Sequence, residues 1–242
     1  MNQPMLGVSR EDPGKYILGT VPVEDDGSAY FRVPSGVPVF FQALDEDGLA
    51  LQTMRSLTYV QPGQTLACIG CHESRDAAPP PGGFQLATRR PPSKLKPGPS
   101  GTWPLRFDAL VQPVLDQRCV SCHQSTSRVP EATAFDLTPP HAYDSLMNYA
   151  DDDLRKLVFE RDKSVVGDCP ARKSKLLELL SHDDGHHDVH LEADDLARLV
   201  AWMDTYAQRL GSYSERQEEQ LRSLRRDLNA LLEEADKGAM NE

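Results

Sequence analysis

Two five-residue runs concentrate the reactive side chains of this chain: Cys68-Ile69-Gly70-Cys71-His72 and, about fifty residues downstream, Cys119-Val120-Ser121-Cys122-His123. Cysteines three apart lie on one turn, so both thiols can add to the vinyl groups of a single haem while the next residue points its imidazole at the iron. Two copies in one chain predict two covalently bound haems c. Cys68, Cys71 and His72 would hold the first, and Cys119, Cys122 and His123 the second. Rival readings fit less well. A zinc ribbon needs four ligands per metal, and the two C-x-x-C pairs lie farther apart than ribbon spacing, with a proline-rich stretch between them. A thioredoxin-like dithiol expects a βαβ context and leaves the two histidines unexplained.

Each haem iron has a second face. For the second haem the candidates are in Ser181-His-Asp-Asp-Gly-His-His-Asp-Val-His190, which holds four of the seven histidines: His182, His186, His187 and His190. Met147 and Met203 compete, but Met203 falls on the apolar side of a helical pattern, where packing is the usual fate of methionine. His186 is therefore preferred, with His182, His187 and His190 read as surface residues. His186 and His190, four apart, could also form a zinc pair on a helix, although Gly185 and the neighbouring aspartates argue against a helix there. The first haem keeps its far side open: five-coordinate iron, or a ligand from farther along the chain such as His141 or Met54.

Composition narrows the setting. The 242 residues carry a net charge of -11 and 39% hydrophobic content, which suits two small domains better than one large core. There is no basic stripe to neutralise a run of phosphates, so nucleic acid is not an expected partner, and the charge points to basic or neutral ones. No run of eighteen apolar residues is present, so no membrane span is expected. The opening residues lack the pattern of a secretory signal and read as mature-type sequence. Cys169 is the remaining cysteine and is read as a structural thiol, so no disulfide framework is expected.

The elements that must position the two motifs differ in texture. Residues 16–60 read as four or five short strands punctuated by Asp-Asp-Gly at 25–27, Pro-Ser-Gly at 34–36 and Asp-Gly at 47–48, a pattern that suits a small antiparallel β-sandwich. Residues 76–105 are rich in proline and glycine and read as a linker, in which Arg89 and Arg90 would suit haem propionates. From Phe107 the apolar residues recur at helical steps: one helix runs into the second motif with a kink at Pro113, and further helices are expected at 151–160, 173–180 and 194–206. The last begins with Glu192, Asp194 and Asp195, where acidic residues complement the helix dipole. Ser214 and Gln217 form a capping-box pattern ahead of a leucine-bearing C-terminal helix that docks on its own protein or binds a partner.

The predicted class is α+β: a small antiparallel β-sandwich at 1–75, the linker at 76–105, a mostly α-helical cytochrome c-like domain at 106–212 and a charged C-terminal helix at 213–242. The block from Gly19-Thr-Val-Pro-Val through Cys68-Ile-Gly-Cys-His72 resembles the middle domain of hydrazine synthase alpha subunit-like proteins, multihaem cytochromes of planctomycetes and related bacteria. The segment Phe107 to His123, with the Gly-His-His and Asp-Asp-Leu-Ala-Arg-Leu stretches beyond it, resembles their C-terminal cytochrome domain. The resemblance implies a periplasmic protein with a bis-histidine second haem, His123 proximal and His186 distal. It also implies sister subunits and an N-terminal β-propeller that this chain does not include, so the chain is a short relative or a fragment. In hydrazine synthase itself a tyrosine shortly after the first motif binds the iron, whereas Glu73, Ser74, Arg75 and Asp76 stand here, so hydrazine synthesis is not expected. The function read from the residues is electron transfer to a redox protein partner. The alternatives are a haem enzyme acting on a small nitrogen or oxygen species at an open first haem, and a zinc-binding interaction module.

Overall fold

The computed structural model describes residues 4–70, 83–159, 165–182 and 185–232. The chain forms two compact units that do not follow chain order. One comprises Met1–Tyr16, Gln42–Thr53 and Pro99–Arg222; the other comprises Ile17–Phe41, Met54–Gly98 and Ser223–Glu242. The linear division expected at 75 and 106 thus differs from the observed one, because a hairpin from the N-terminal half belongs to the helical unit.

That hairpin pairs β1 (Gln42–Leu44) with β2 (Ala50–Thr53), antiparallel. Its turn forms where Asp-Gly predicted one: the Asp45 carboxylate accepts from the amides of Asp47 and Leu49, and Gly48 takes φ +81°, a conformation glycine adopts without strain. The hairpin is held by a buried acid. Asp204, at the end of α7 (Ala193–Asp204), accepts from Ala50 N at 2.9 Å and from Ala171 N at 2.8 Å, while Gln42 Nε2 donates to its backbone carbonyl at 2.8 Å.

The helical unit contains α1 (Phe107–Leu110), α2 (Gln112–Arg118), α3 (Pro130–Ala134), α4 (Ala142–Phe159), α5 (Pro170–Lys173), α6 (Lys175–Leu180), α7 and most of α8 (Glu215–Asp227). The expected single helix into the second motif is two: the break falls at Val111, and Pro113, which has no N–H to donate, sits in the first turn of α2. α4 is likewise interrupted, with Tyr149 extended and Ala150, Asp151 and Asp152 left-handed. The helix expected at 151–160 corresponds to the part of α4 after this break, and the part that begins at Ala142 was not expected. The core gathers Leu110, Val114, Met147, Leu154, Leu199, Met203 and Trp202. Trp202 is fully buried, donates its indole N–H to the Gln208 carbonyl at 3.0 Å and meets Phe107 edge-on at 5.2 Å between ring centroids. The capping residues of α8 act as predicted in part: Gln217 N donates to the Ser214 hydroxyl, whereas the Gln217 side chain accepts from Tyr213 N.

The second unit keeps the expected turns but not the expected strands. Among the described residues, the only named sheet is the β1–β2 hairpin of the helical unit; in the second unit pairing is confined to single bridges. The overall class is α+β, with this small antiparallel sheet in place of the four or five strands read at 16–60. Gly27 and Gly36 adopt left-handed conformations at the two predicted turns. The intervening segments alternate irregularly, which leaves no single face to set a longer register. Part of the stretch read as linker is structural here: Ser93, Leu95 and Lys96 bridge to Phe31, Leu232 and Thr20. Arg90 is engaged by Glu24 at 2.7 Å and by the Ser93 hydroxyl, and Arg89 is exposed.

Candidate haem site at the second motif

Where α2 ends, the chain keeps turning. Cys119 N donates to Leu115 O at 2.8 Å, Cys122 N to Cys119 O at 3.1 Å and His123 N to Cys119 O at 2.9 Å, so both thiols and the imidazole share one tight turn. Cys122 is exposed and Cys119 is partly covered. Burial, reinforced by the Asp195 carboxylate and Cys122, pushes the Cys119 thiol up to about 11. The side chain therefore remains a neutral thiol at physiological pH.

His123 is oriented by the backbone. Its Nδ1 lies 3.0 Å from the Phe135 carbonyl, and a carbonyl can only accept, so Nδ1 carries the proton and Nε2 keeps its lone pair. Leu137 N donates to His123 O at 3.0 Å, and the Phe135 ring meets the imidazole edge-on at 5.7 Å. Such a hydrogen bond on the outer nitrogen is how ligating histidines are held in one tautomer and one orientation. Phe135 was not singled out by sequence reading, because a backbone carbonyl twelve residues away leaves no signal in residue type.

Facing His123 is His186. The ring centroids are 6.0 Å apart and the planes 23° from parallel. His186 opens a tight two-residue hairpin: its N–H donates to Val189 O at 3.2 Å and its carbonyl accepts from Val189 N at 3.0 Å, with His187 and Asp188 both at positive φ. Gly185, φ +66°, makes the approach possible, since a Cβ there would stand 2.7 Å from Val189 O. Burial lowers the His186 pKa, with His187 and His123 adding to the effect, which keeps the ring neutral. The rivals are elsewhere: Met147 and Met203 are fully buried in the core, and His182, His187 and His190 are exposed. His141 lines a groove of about 410 Å³ with Phe135, Asp144 and Tyr149.

For the first motif, Cys68 is exposed in the second unit. Cys71 and His72 lie outside the described residues, as do Glu73 to Asp76. Among the described residues no group of three or more His, Cys, Asp or Glu could hold a metal ion. A haem asks only for a pair, because the porphyrin supplies the other donors. His123 and His186 are the two imidazoles here that would hold a haem iron, and Cys119 and Cys122 the thiols that would attach its porphyrin.

Comparison with known proteins bears on the N-terminal part. Residues 7–73 match the family model of the hydrazine synthase alpha subunit middle domain, a stretch that runs through the first C-x-x-C-H. Over these residues the chain is similar to hydrazine synthase alpha. Hydrazine synthase subunit alpha of Kuenenia stuttgartiensis is 39% identical over 56 residues, 23% of this chain and 7% of that protein. The solved Kuenenia stuttgartiensis hydrazine synthase structure covers 73% of this chain and 31% of its own, at 18% identity and a TM-score of 0.43. The chain thus spans a small fraction of the length of its alpha-subunit relative. No described helix is long and apolar enough to cross a membrane.

Proposed function

We propose that this hydrazine synthase alpha-like chain is a dihaem c-type cytochrome that transfers electrons to a redox protein partner. The observation that carries the reading is the imidazole pair: His123, its tautomer fixed by Phe135 O, faces His186 across 6.0 Å, one residue after the second C-x-x-C. Cys119 and Cys122 would attach the porphyrin, and His123 and His186 would hold its iron. When bound, haem supplies a one-electron ferric/ferrous couple. With both histidines bound, the iron would have no position left for a small molecule, and the buried Phe107–Trp202–Tyr143 cluster packs α1, α4 and α7 against one another. Cys68, Cys71 and His72 attach the first haem by the same chemistry. The location is periplasmic, where such haems are attached, and sister subunits are the further partners, in keeping with an alpha-subunit relative.

Expression of the chain with an export signal and cytochrome c maturation machinery tests this. A pyridine haemochrome spectrum should show c-type haem at two per chain. Replacement of Cys119 and Cys122 by serine should halve that ratio. A colourless protein would overturn the reading, and zinc in its place would favour the interaction module.

A further inference from the structure

Arg118 is the last residue of α2 and the neighbour of Cys119. Its Nε donates to Asp195 Oδ2 at 2.8 Å and its Nη2 reaches Glu192 Oε1 at 2.8 Å, so one guanidinium joins two carboxylates at the start of α7. The Asp195 side chain is 10% exposed and that of Arg118 22%. Asp195 also accepts from Glu192 N at 3.4 Å, closing the capping box that starts α7. Between Glu192 and His186 the chain is short, and its first four residues are tied by the His186–Val189 hairpin bonds. The contact therefore closes a ring: Arg118, the motif turn, His123, the gap, His186, the hairpin, Glu192 with Asp195, and back to Arg118.

We infer that Arg118 is a positioning residue for the axial pair of the second haem: its fork onto Glu192 and Asp195 sets how far His186 stands from His123. The inference rests on the haem reading above. An isolated surface ion pair contributes about 0–1 kcal/mol and holds nothing in place. Here the geometry is a rigid planar fork, with one carboxylate nearly covered, and the two anchored segments are those that end in the two facing imidazoles. Lengthening either side lets His186 leave the iron while His123, held by Phe135 O, stays.

The test uses the full chain with haems attached, comparing native protein, Arg118→Gln, Arg118→Lys and, as the reference for complete loss, His186→Ala. The readouts are carbon monoxide bound per haem after reduction and the high-spin fraction of the ferric protein by electron paramagnetic resonance, with thermal melts recorded alongside. Arg118→Gln should raise the carbon monoxide-reactive share of the second haem roughly tenfold over native, towards His186→Ala. Arg118→Lys, which keeps a cation between the carboxylates but not the fork, should fall between. Native-like carbon monoxide uptake and spin state in Arg118→Gln, even with a lowered melting temperature, would overturn the proposal, leaving the arginine a purely structural contact. If Arg118→Gln does not accumulate, the Glu192→Gln, Asp195→Asn double variant breaks the same contact from α7 and is judged by the same two outcomes. Failure of the haem reading itself is visible earlier, as a native protein without c-type haem or a His186→Ala protein identical to native, and the proposal then falls with it.

Discussion

Cys68 and Cys122 are both exposed, yet the chain around them is built differently. Upstream of Cys122, two short helices meet at Val111 and rest on a core with a fully buried tryptophan; opposite lies a histidine presented by a hairpin. Around Cys68, the second unit has single bridges in place of named strands and exposes Leu57, Tyr59, Leu66 and Ile69. The segment that bears the family match, 7–73, includes the more irregular of these two regions. The matched stretch also contains the β1–β2 hairpin of the helical unit, so it draws on both regions.

The contrast is sharpest in the core. Trp202→Ala removes the largest buried side chain and its indole hydrogen bond to Gln208 O, and should destabilise the helical unit by about 3–5 kcal/mol. Denaturant unfolding followed by circular dichroism measures it. A loss under about 1 kcal/mol would mean that the helical unit is no better packed than the other.

Next in size is a pH effect. Asp204 is 3% exposed, and burial pushes its carboxyl up to about 6 although Ala50 N, Ala171 N and Arg172 pull the other way. A raised acid binds its proton more tightly folded than unfolded. Its contribution is therefore full below about pH 4, is lost as pH rises through 6, and spans on the order of 3 kcal/mol. Asp45, beside it, adds to the rise, and Cys169 lies in the same surroundings. Asp204→Asn keeps one acceptor oxygen and removes the titration. The stability advantage of native over variant should be larger at pH 4 than at pH 7.5, measured by urea midpoints; an advantage that grows with pH would show that Asp204 is ionised and stabilising.

Much of the helical unit was legible in residue order: the C-x-x-C-H turn, Pro113 at a helix break, the acidic start of α7 and the Ser214 cap all rest on neighbours within four residues. The hairpin's place was not. Its anchors are Asp204 and Gln42, 162 residues apart, and periodicity carries no information on such pairs. The same applies at the site. His186 stood out because four histidines cluster, whereas Arg118 and Asp195 looked like an ordinary helix end and an ordinary helix start. Glu192 and Asp195 were read as dipole partners, and their second role depends on Arg118, which for Asp195 is 77 positions away. At 16–60 the turns formed because a glycine with positive φ is a local matter, and of the strands only the β1–β2 hairpin forms, because a ladder needs a partner in register.

A smaller effect is expected at Gly185. Alanine there meets Val189 O at 2.7 Å in a backbone region that L residues disfavour, for about 1–2 kcal/mol. The hairpin that presents His186 should loosen, and carbon monoxide uptake by the second haem should rise while the Trp202 core stays intact. An unchanged uptake would separate the hairpin from the ligand's position.

The smallest expected effect belongs to the other region. Phe84 is 89% exposed in the second unit, just beyond the stretch that follows the first motif. A side chain so open has no packing to lose, so Phe84→Ser should change stability by less than about 0.5 kcal/mol. The same substitution at Phe107, 4% exposed and in edge-on contact with Trp202 and Tyr143, should cost several kcal/mol. Comparing the two variants by thermal melt and by haem content puts the contrast between the regions on one scale. A Phe84→Ser loss above about 1 kcal/mol in the haem-loaded protein, but not in the haem-free one, would mean that the first haem covers this ring, and that the looseness around Cys68 belongs to the chain without its cofactor.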